Sequence, residues 1–380
     1  MKYTLALVLF LSLIFACNPS KEAKMDFSQR TVTMDTVMVD AKDEILFLIG
    51  DLMMSDLSPD KQFLYYFNSM NLTLEIVDLD KLEFVRRISY EEEGPDGVGR
   101  FPMQFQVLSG EQLFIGSFTH RGIFDQKGRR VKDLNFKIDE FIGEKVTPNY
   151  FEKTLKVHPK NPQKLISIWN DWGDAPNIFG IIDTQKKVFE NLPIPAFDYL
   201  SEFRMIYADG GITRAVLGED SQITLVNNKS ILSNNIGSDV YIYDFETEKL
   251  NHMPTRHQSL PSRKSLKIPQ IVESMPEFHE HNRKLGEDIN FTAPVWDEEN
   301  EIYYRFAYYM KNKEVDGVHQ PAGAEVFLIA LDKNFDLISE TLLELYHKIP
   351  RRHFIKDGRI WIFENMDDEM AFVRLNLSHN

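Results

Sequence analysis

Cysteine is almost absent from this 380-residue chain, in which Cys17 is the only one. A single cysteine excludes a framework of disulfides within the chain. Beyond the first 16 residues no apolar run reaches the roughly 18 residues of a membrane-spanning helix. Positive charge is also scarce, and the formal net charge is -15. Such a surface repels phosphate backbones, so we expect no nucleic-acid partner.

Motifs of catalysis and metal binding are scarce as well. The chain has no Gly-x-Ser-x-Gly nucleophile elbow. His279 and His281 diverge by about 200° on a helix, and no third ligand has a recognisable spacing. Asp367-Asp368-Glu369 lacks the pattern of a calcium loop and indicates a hairpin turn. We therefore predict no cofactor and no metal, although the many carboxylates leave a glycosidase-like pair open.

The chain begins with the features of an exported lipoprotein. Lys2 precedes an apolar core over residues 4–16, which has the length of a secretory signal peptide. The run Leu13-Ile14-Phe15-Ala16-Cys17 resembles a bacterial lipobox. We predict that residues 1–16 are removed and that Cys17 carries lipid, which anchors the protein to a membrane. The alternatives are a signal peptide cut elsewhere or a buried free cysteine.

A polar segment separates Cys17 from the folded body. Residues 17–30 lack apolar periodicity, which predicts a tether between the lipid and the domain at 31–380. Asn18 stands where an Asp would resemble a signal for retention in the inner membrane. Residues 18–24 also lack the acidic run linked to surface export. We therefore predict an outer-membrane location that faces the periplasm.

The body of the chain is a loose repeat of short apolar strands. Six units each pair two strands rich in Val, Ile, Phe, Tyr and Leu, and Gly, Pro, Asn and Asp separate them. In five units an aspartate follows the second strand: Asp78, Asp125, Asp183, Asp244 and Asp332. An aspartate there can accept a hydrogen bond from the backbone two residues on, which predicts tight hairpins.

Six such units fit a pair of sandwiches, a β-helix or a propeller. We favour an all-β propeller with six blades, because radial packing buries both apolar faces and leaves only short edges. The last unit lacks an outer strand, and residues 31–39 alternate without a partner, so we expect them to close the ring. Residues 254–290 predict an insertion between blades four and five, with a short helix after Pro276.

Several of these segments resemble one family. They are the lipobox, Glu93-Gly94-Pro95-Asp96-Gly97-Val98-Gly99, Trp296-Asp297-Glu298 before Tyr303-Tyr304-Arg305, Trp361-Ile362-Phe363-Glu364-Asn365 and Ala371-Phe372-Val373. Together they resemble the DUF4221 lipoproteins of Bacteroidota. The resemblance implies a six-bladed β-propeller lipoprotein of unknown function, and it supplies no catalytic residues.

One loop has the composition of a ligand platform. Trp169, Asp171, Trp172 and Asp174 follow a predicted strand, where aromatic faces and carboxylates would suit a sugar or a peptide. The alternative is that both tryptophans pack at a blade edge. A second candidate set is Arg204, Arg214 and Arg305, which could line an anion-binding mouth or be ordinary surface arginines.

The sequence therefore predicts a lipid-anchored binding module of the cell envelope. Its partner would be a glycan, a peptide or an envelope protein, and its membrane contact would be the lipid on Cys17. One alternative is an envelope hydrolase with carboxylates or a metal in the central channel. Another is a structural subunit of an outer-membrane complex. The fold by itself does not choose among these classes, because propellers host all of them.

Overall fold

The computed structural model of the protein describes residues 30–143, 146, 150–171 and 176–379. The predicted signal peptide, Cys17 and the tether up to residue 29 lie outside the described residues. Within the described ranges no helix has the length and hydropathy needed to cross a membrane.

The described strands follow one another as short antiparallel groups. The first strand, β1, is Arg30–Met38. Sheet 1 contains β2 Ser55–Leu57, β3 Phe63–Asn68, β4 Thr73–Asp78 and β5 Glu83–Ser89. Sheet 2 contains β6 Gln104–Val107, β7 Leu113–Gly116, β8 Arg121–Phe124 and β9 Arg130–Asp133. Sheet 3 contains β10 Ile142–Gly143, β11 Tyr150–His158, β12 Asn161–Asp171, β13 Ile178–Asp183 and β14 Val188–Asn191.

The second half of the chain continues the pattern and adds two insertions. The first insertion holds β15 Met205–Asp209 and β16 Ile212–Leu217. Sheet 4 contains β17 Ser221–Val226, β18 Lys229–Asn234, β19 Val240–Asp244 and β20 Lys249–Met253. The second insertion holds β21 Ile271–Val272 and the helix α1 Met275–Glu287. Sheet 5 contains β22 Asn290–Phe291, β23 Val295–Asp297, β24 Ile302–Val315, β25 Val318–Leu331 and β26 Leu337–Leu342. Sheet 6 contains β27 His353–Lys356, β28 Arg359–Met366, β29 Glu369–His379 and the strand β1.

Apolar clusters join each sheet to the next and the last sheet to the first. In order from the boundary of sheets 1 and 2, representative pairs are Phe67 and Phe105, Phe114 and Trp169, Phe179 and Tyr241, Ile242 and Tyr303, Phe306 and Ile362, and Phe372 and Leu64. Each sheet thereby buries both of its faces, which is where most of the folding free energy of an all-β ring arises. The predicted all-β propeller class is confirmed.

The first strand closes the ring. β1 pairs antiparallel with β29, from Arg30 opposite His379 to Met38 opposite Ala371. The guanidinium of Arg374 donates to both carboxylate oxygens of Asp35 at 2.7 and 2.6 Å. The alternating N-terminal segment therefore supplies the outer strand that the last sheet lacks, as the sequence predicts.

One end of the ring consists of short turns, and we call it the turn face. It holds the turn from β2 to β3, the turn from β4 to β5, and the corresponding turns of the other sheets. The aspartates predicted to fix hairpins lie here, and each accepts two backbone amides on its Oδ1: Asp78, Asp125, Asp183, Asp244 and Asp332. Those five hairpins are confirmed.

The opposite end holds the longer connections, and we call it the loop face. These connections join β3 to β4 and the corresponding pair of strands in the other sheets, and they also join each sheet to the following one. Many of the large apolar side chains that stay exposed lie here: Ile45, Ile49, Met53, Met70, Phe101, Met103, Phe118 and Leu345. The two ends of the ring therefore differ in chemistry, because the turn face is charged and the loop face is partly apolar.

The two insertions pack together on the loop face, and we call residues 192–220 and 254–289 the cap. β21 pairs in parallel with β15, and Met205, Val272 and Phe278 form a small apolar cluster. α1 begins after Ser274, whose hydroxyl accepts from the amide of Glu277 at 3.3 Å. The predicted helical insertion is confirmed, whereas the β15–β16 hairpin was not predicted.

Candidate functional site

A cavity of about 340 Å³ opens on the loop face between sheets 3 and 4, beside the cap. Its walls are mainly apolar. They come from Ile168 and Phe179 of sheet 3, Leu232 of sheet 4, and Phe197 and Leu200 of the cap. The volume lies in the range of small-ligand sites, about 300–1,000 Å³.

A short helix of the cap forms one wall. The 3-10 helix Pro195–Phe203 has a proline in its first turn, where the missing amide hydrogen costs nothing. The amide of Ala196 donates to the hydroxyl of Tyr241 at 2.8 Å. Phe197 packs edge-to-face on Tyr241 with ring centroids 5.0 Å apart. Sheet 4 therefore fixes the position of this wall.

Polar groups are concentrated at one side of the cavity. Asn177 donates from its side-chain amide to the carboxylate of Glu219. The guanidinium of Arg204 donates to the backbone carbonyl of Asp171 at 2.5 Å. Asp198 and Ser201 also line the cavity and are exposed. The cavity thus combines an apolar interior with donors and acceptors at its rim.

Burial raises the pKa of the Glu219 carboxyl above its ordinary value of 4.5, although the nearby charges of Lys153 and Arg204 act in the opposite direction. A carboxyl that holds its proton more readily can donate a hydrogen bond as well as accept one. Glu219 is therefore suited to a ligand that offers both kinds of group.

Comparison with known proteins identifies the family. The model of the DUF4221 family, a domain of unknown function, matches residues 26–342. The chain belongs to this family. No curated protein matches the sequence.

Several solved structures are similar to this DUF4221 chain. A DUF4221 family member from Bacteroides vulgatus is 15% identical with a TM-score of 0.65, over 93% of this chain and 100% of that one. A protein from Bacteroides fragilis described as exported is 11% identical with a TM-score of 0.50, over 94% and 97% of the two chains. The Cps50 (Swd1) β-propeller domain of Myceliophteria thermophila is 10% identical with a TM-score of 0.40, over 90% and 99%.

The predicted tryptophan platform lies next to the cavity, but only part of it is described. Trp169 is buried, donates from its indole to the Ser167 hydroxyl at 2.9 Å and packs on Phe189. Asp171 is buried beside Arg204. Residues 172–175, with Trp172 and Asp174, lie outside the described residues. Trp169 therefore packs within the sheets, as the alternative reading of the sequence has it.

The three candidate arginines of this DUF4221 protein occupy different environments. Arg204 lies at the cavity, and Arg214 is exposed on β16 with Asp209 at 3.5 Å. Arg305 is buried, and its Nη1 donates to the carbonyl of Ser238 at 2.7 Å. Its Nη2 donates to the carbonyl of Asn234 at 2.7 Å. The prediction of a common anion-binding mouth is therefore corrected for Arg305, which binds backbone carbonyls inside the ring.

Sequence reasoning did not single out Asn177 or Glu219. Glu219 stands in the run Gly218-Glu219-Asp220, which has the composition of an ordinary surface turn. The cavity arises from segments that are far apart in the chain, so local pattern gives no sign of it. Among the described residues, no three His, Cys, Asp or Glu side chains are placed to hold one metal ion.

Proposed function

We propose that this DUF4221 protein is a lipid-anchored binding module of the cell envelope that receives its ligand on the loop face. The observation that carries the proposal is the cavity of about 340 Å³ with its apolar walls and polar rim. A ring of mutually packed sheets is a rigid support, and binding residues commonly lie on loops that such a support positions.

The course of β1 supports a defined orientation. Arg30 lies opposite His379, beyond the turn-face end of β28, whereas Met38 lies opposite Ala371 near the connection from β28 to β29. A tether of residues 17–29 would therefore leave from the turn face, and the loop face would point away from the anchoring membrane. The lipobox supports the anchor, and the likeness to an exported Bacteroides fragilis protein agrees with an extracytoplasmic location.

Among a glycan, a peptide and an envelope protein, the cavity favours a peptide segment. Ile168, Phe179 and Leu232 offer an apolar surface for one aliphatic or aromatic side chain. Asn177 and Glu219 offer hydrogen bonds to the peptide backbone beside it. Among the described residues of the predicted sugar platform, Trp169 is buried and offers no open face on which a sugar could stack.

Titration with short capped peptides tests the binding site. We expect Ac-Gly-Leu-Gly-NH2 to perturb the NMR signals of cavity residues, and Ac-Gly-Ser-Gly-NH2 to perturb them much less. Ser201→Trp places a large ring at the exposed rim and should abolish the response, whereas Ser201→Ala leaves the cavity open and should retain it. Equal responses to the two peptides, or an unchanged response in Ser201→Trp, would refute the site.

Fractionation of cells tests the anchor. The protein should incorporate labelled palmitate and sediment with outer membranes, and Cys17→Ala should lose both properties while the folded body persists. Protease added to intact cells should leave a periplasmic protein uncut. The hydrolase alternative stays a prediction from the sequence.

A further inference from the structure

The innermost strands of the six sheets surround the axis of the ring, and we call the space between them the channel. These strands are β2, β6, β11, β17, β22 with β23, and β27. The inner strands of neighbouring sheets approach each other, as β2 does β6 and β6 does β11. Polar side chains of these strands therefore determine what the channel can bind.

Most of the polar side chains described here hold the scaffold together. The Gln106 side chain donates to the carbonyl of Val157 at 3.0 Å and accepts from its amide at 2.8 Å. Gln104 bonds in the same way to the carbonyl of Lys153 and the amide of Leu155. These two glutamines join sheet 2 to sheet 3, and their side-chain groups are already used.

Two cations are different because most of their donors have no described partner. The ammonium of Lys156, on β11, makes one described hydrogen bond, to the carbonyl of Phe105 at 3.0 Å. The guanidinium of Arg352, beside β27, makes none within the described residues, and its nearest described anion is Asp56 at 3.8 Å. The Nε of Arg352 is buried and unpartnered there. An ammonium has three N–H groups and a guanidinium five, so several donors remain available.

One carboxylate stands against these two positive charges. Asp56, on β2, accepts from the amide of Val107 at 2.9 Å and from the amide of Leu57 at 2.9 Å. Its charge interacts with both Lys156 and Arg352. Since one negative charge faces two positive ones, this group of three side chains has a net positive charge.

Burial raises the free energy of holding that positive charge. Burial lowers the pKa of Lys156, and the charge of Asp56 only partly opposes this effect. Burial also lowers the pKa of Arg352, although 34% of its side chain is exposed. Arg352 is therefore partly open to the channel while protein surrounds most of its side chain. A bound anion would replace the hydration that the two cations lack there.

We propose that Lys156 and Arg352 form a channel site for a tetrahedral oxyanion, as free phosphate or as the terminal phosphate of a larger ligand. The planar guanidinium suits two oxygens of such a group, and the ammonium suits a third as a point charge. Sheets 3 and 6 contribute one cation each, with Asp56 of sheet 1 holding the guanidinium from the other side. The site is separate from the cavity and stands independently of the proposed function.

Calorimetric titration with inorganic phosphate at low ionic strength tests the site. The protein should bind one equivalent, and Arg352→Gln and Lys156→Met should each weaken the affinity at least about tenfold. Arg352→Lys keeps the charge without the fork and should lose less than Arg352→Gln. Arg129→Gln, which removes an exposed arginine on the turn face, is the matched control and should bind normally.

Arg352→Gln decides the outcome even if Lys156→Met fails to fold, because the Arg352 guanidinium makes no hydrogen bond to the described scaffold. Absence of phosphate binding to the wild-type protein, or equal binding by Arg352→Gln, would overturn the proposal. Methyl phosphate distinguishes the two sources of the oxyanion. Binding as tight as that of inorganic phosphate indicates the end of a larger ligand, and much weaker binding indicates the free ion.

Discussion

The hairpin aspartates of the turn face and Arg305 of the loop face make hydrogen bonds that span very different distances along the chain. On the turn face, each aspartate bonds to amides two to four residues further along the chain, as Asp78 does with Asp80 and Lys81. On the loop face, Arg305 bonds to carbonyls 67 to 71 residues away. The carboxylate of Glu340 accepts from the amide and hydroxyl of Ser259, 81 residues away.

This difference separates the turns that define the scaffold from the connections that can determine ligand specificity. Local turns form from a few residues and tolerate little variation in length, so they define the repeating sheet. Long connections rely on distant partners, and they can differ between related rings while the sheets stay the same. The cavity lies on the loop face for the same reason, because only long connections can bring together segments from two sheets and a cap.

Replacing Arg305 should have the largest effect. Arg305→Met leaves buried carbonyls on the β18–β19 connection without a donor, and we expect a loss of about 3 kcal/mol or more in the free energy of unfolding. Urea unfolding measures it. Arg214→Met, an exposed arginine of the cap, is the control and should change stability by less than about 0.5 kcal/mol. Similar values for both variants would mean that Arg305 does not hold the loop face together.

Each turn aspartate should contribute less to the free energy of unfolding than Arg305 does. Asp78→Ala removes a buried acceptor of two amides, and we expect a loss of about 1–2 kcal/mol. Asp78→Asn keeps the acceptor oxygen and should recover part of that loss. Urea unfolding again measures both variants. If Asp78→Asn is as destabilised as Asp78→Ala, the charge rather than the hydrogen bonds stabilises the turn.

The pKa of a turn-face carboxyl, Asp244, and that of a loop-face carboxyl, Glu219, should be shifted in opposite directions. The amide of Thr247 holds the pKa of Asp244 below 3.8, whereas burial raises the pKa of Glu219 above 4.5. Asp244 therefore contributes stability above pH 3.8 that is lost as the pH falls through its folded pKa. Glu219 favours the fold while protonated, so its contribution declines as the pH rises from 4.5 through its folded pKa.

NMR titration of the side-chain carboxyl carbons measures both pKa values directly. Asp244→Asn and Glu219→Gln assign the two signals and serve as controls for the pH dependence of unfolding. A Glu219 pKa at or below 4.5 would contradict the buried environment that the cavity provides.

The smallest effect on stability is expected for the exposed apolar residues of the loop face. Ile49 and Leu345 are 70% and 71% exposed, so Ile49→Ser and Leu345→Ser should change the unfolding free energy by less than about 0.5 kcal/mol. Leu232→Ser, in the cavity wall, serves as the contrasting buried substitution and should cost several times more. Thermal unfolding of the three variants checks the order, and a large loss in Ile49→Ser would show that Ile49 packs against the ring.

The features that could be predicted from the sequence are those that depend on local contacts, and the features that could not be predicted depend on distant ones. The strands, the five turn aspartates, the closing strand and α1 all carry local signals. The β15–β16 hairpin also carries one, because Gly210-Gly211 separates two apolar runs, and this signal was overlooked. The parallel pairing of β15 with β21 has no local signal, since the two strands lie some 65 residues apart. Arg305 was misjudged because an arginine in an apolar strand is usually exposed, and its carbonyl partners are distant.

The pairing of β1 with β29 also determines the order of assembly. β1 cannot pair with β29 until nearly all later residues are available for folding. Until then β1 and β28 each present an unpaired edge, and the barrier to forming that contact includes the loop entropy of more than 300 intervening residues. A product that stops before Ala371 would lack the partner of β1, and the edges of β1 and β28 would stay unpaired.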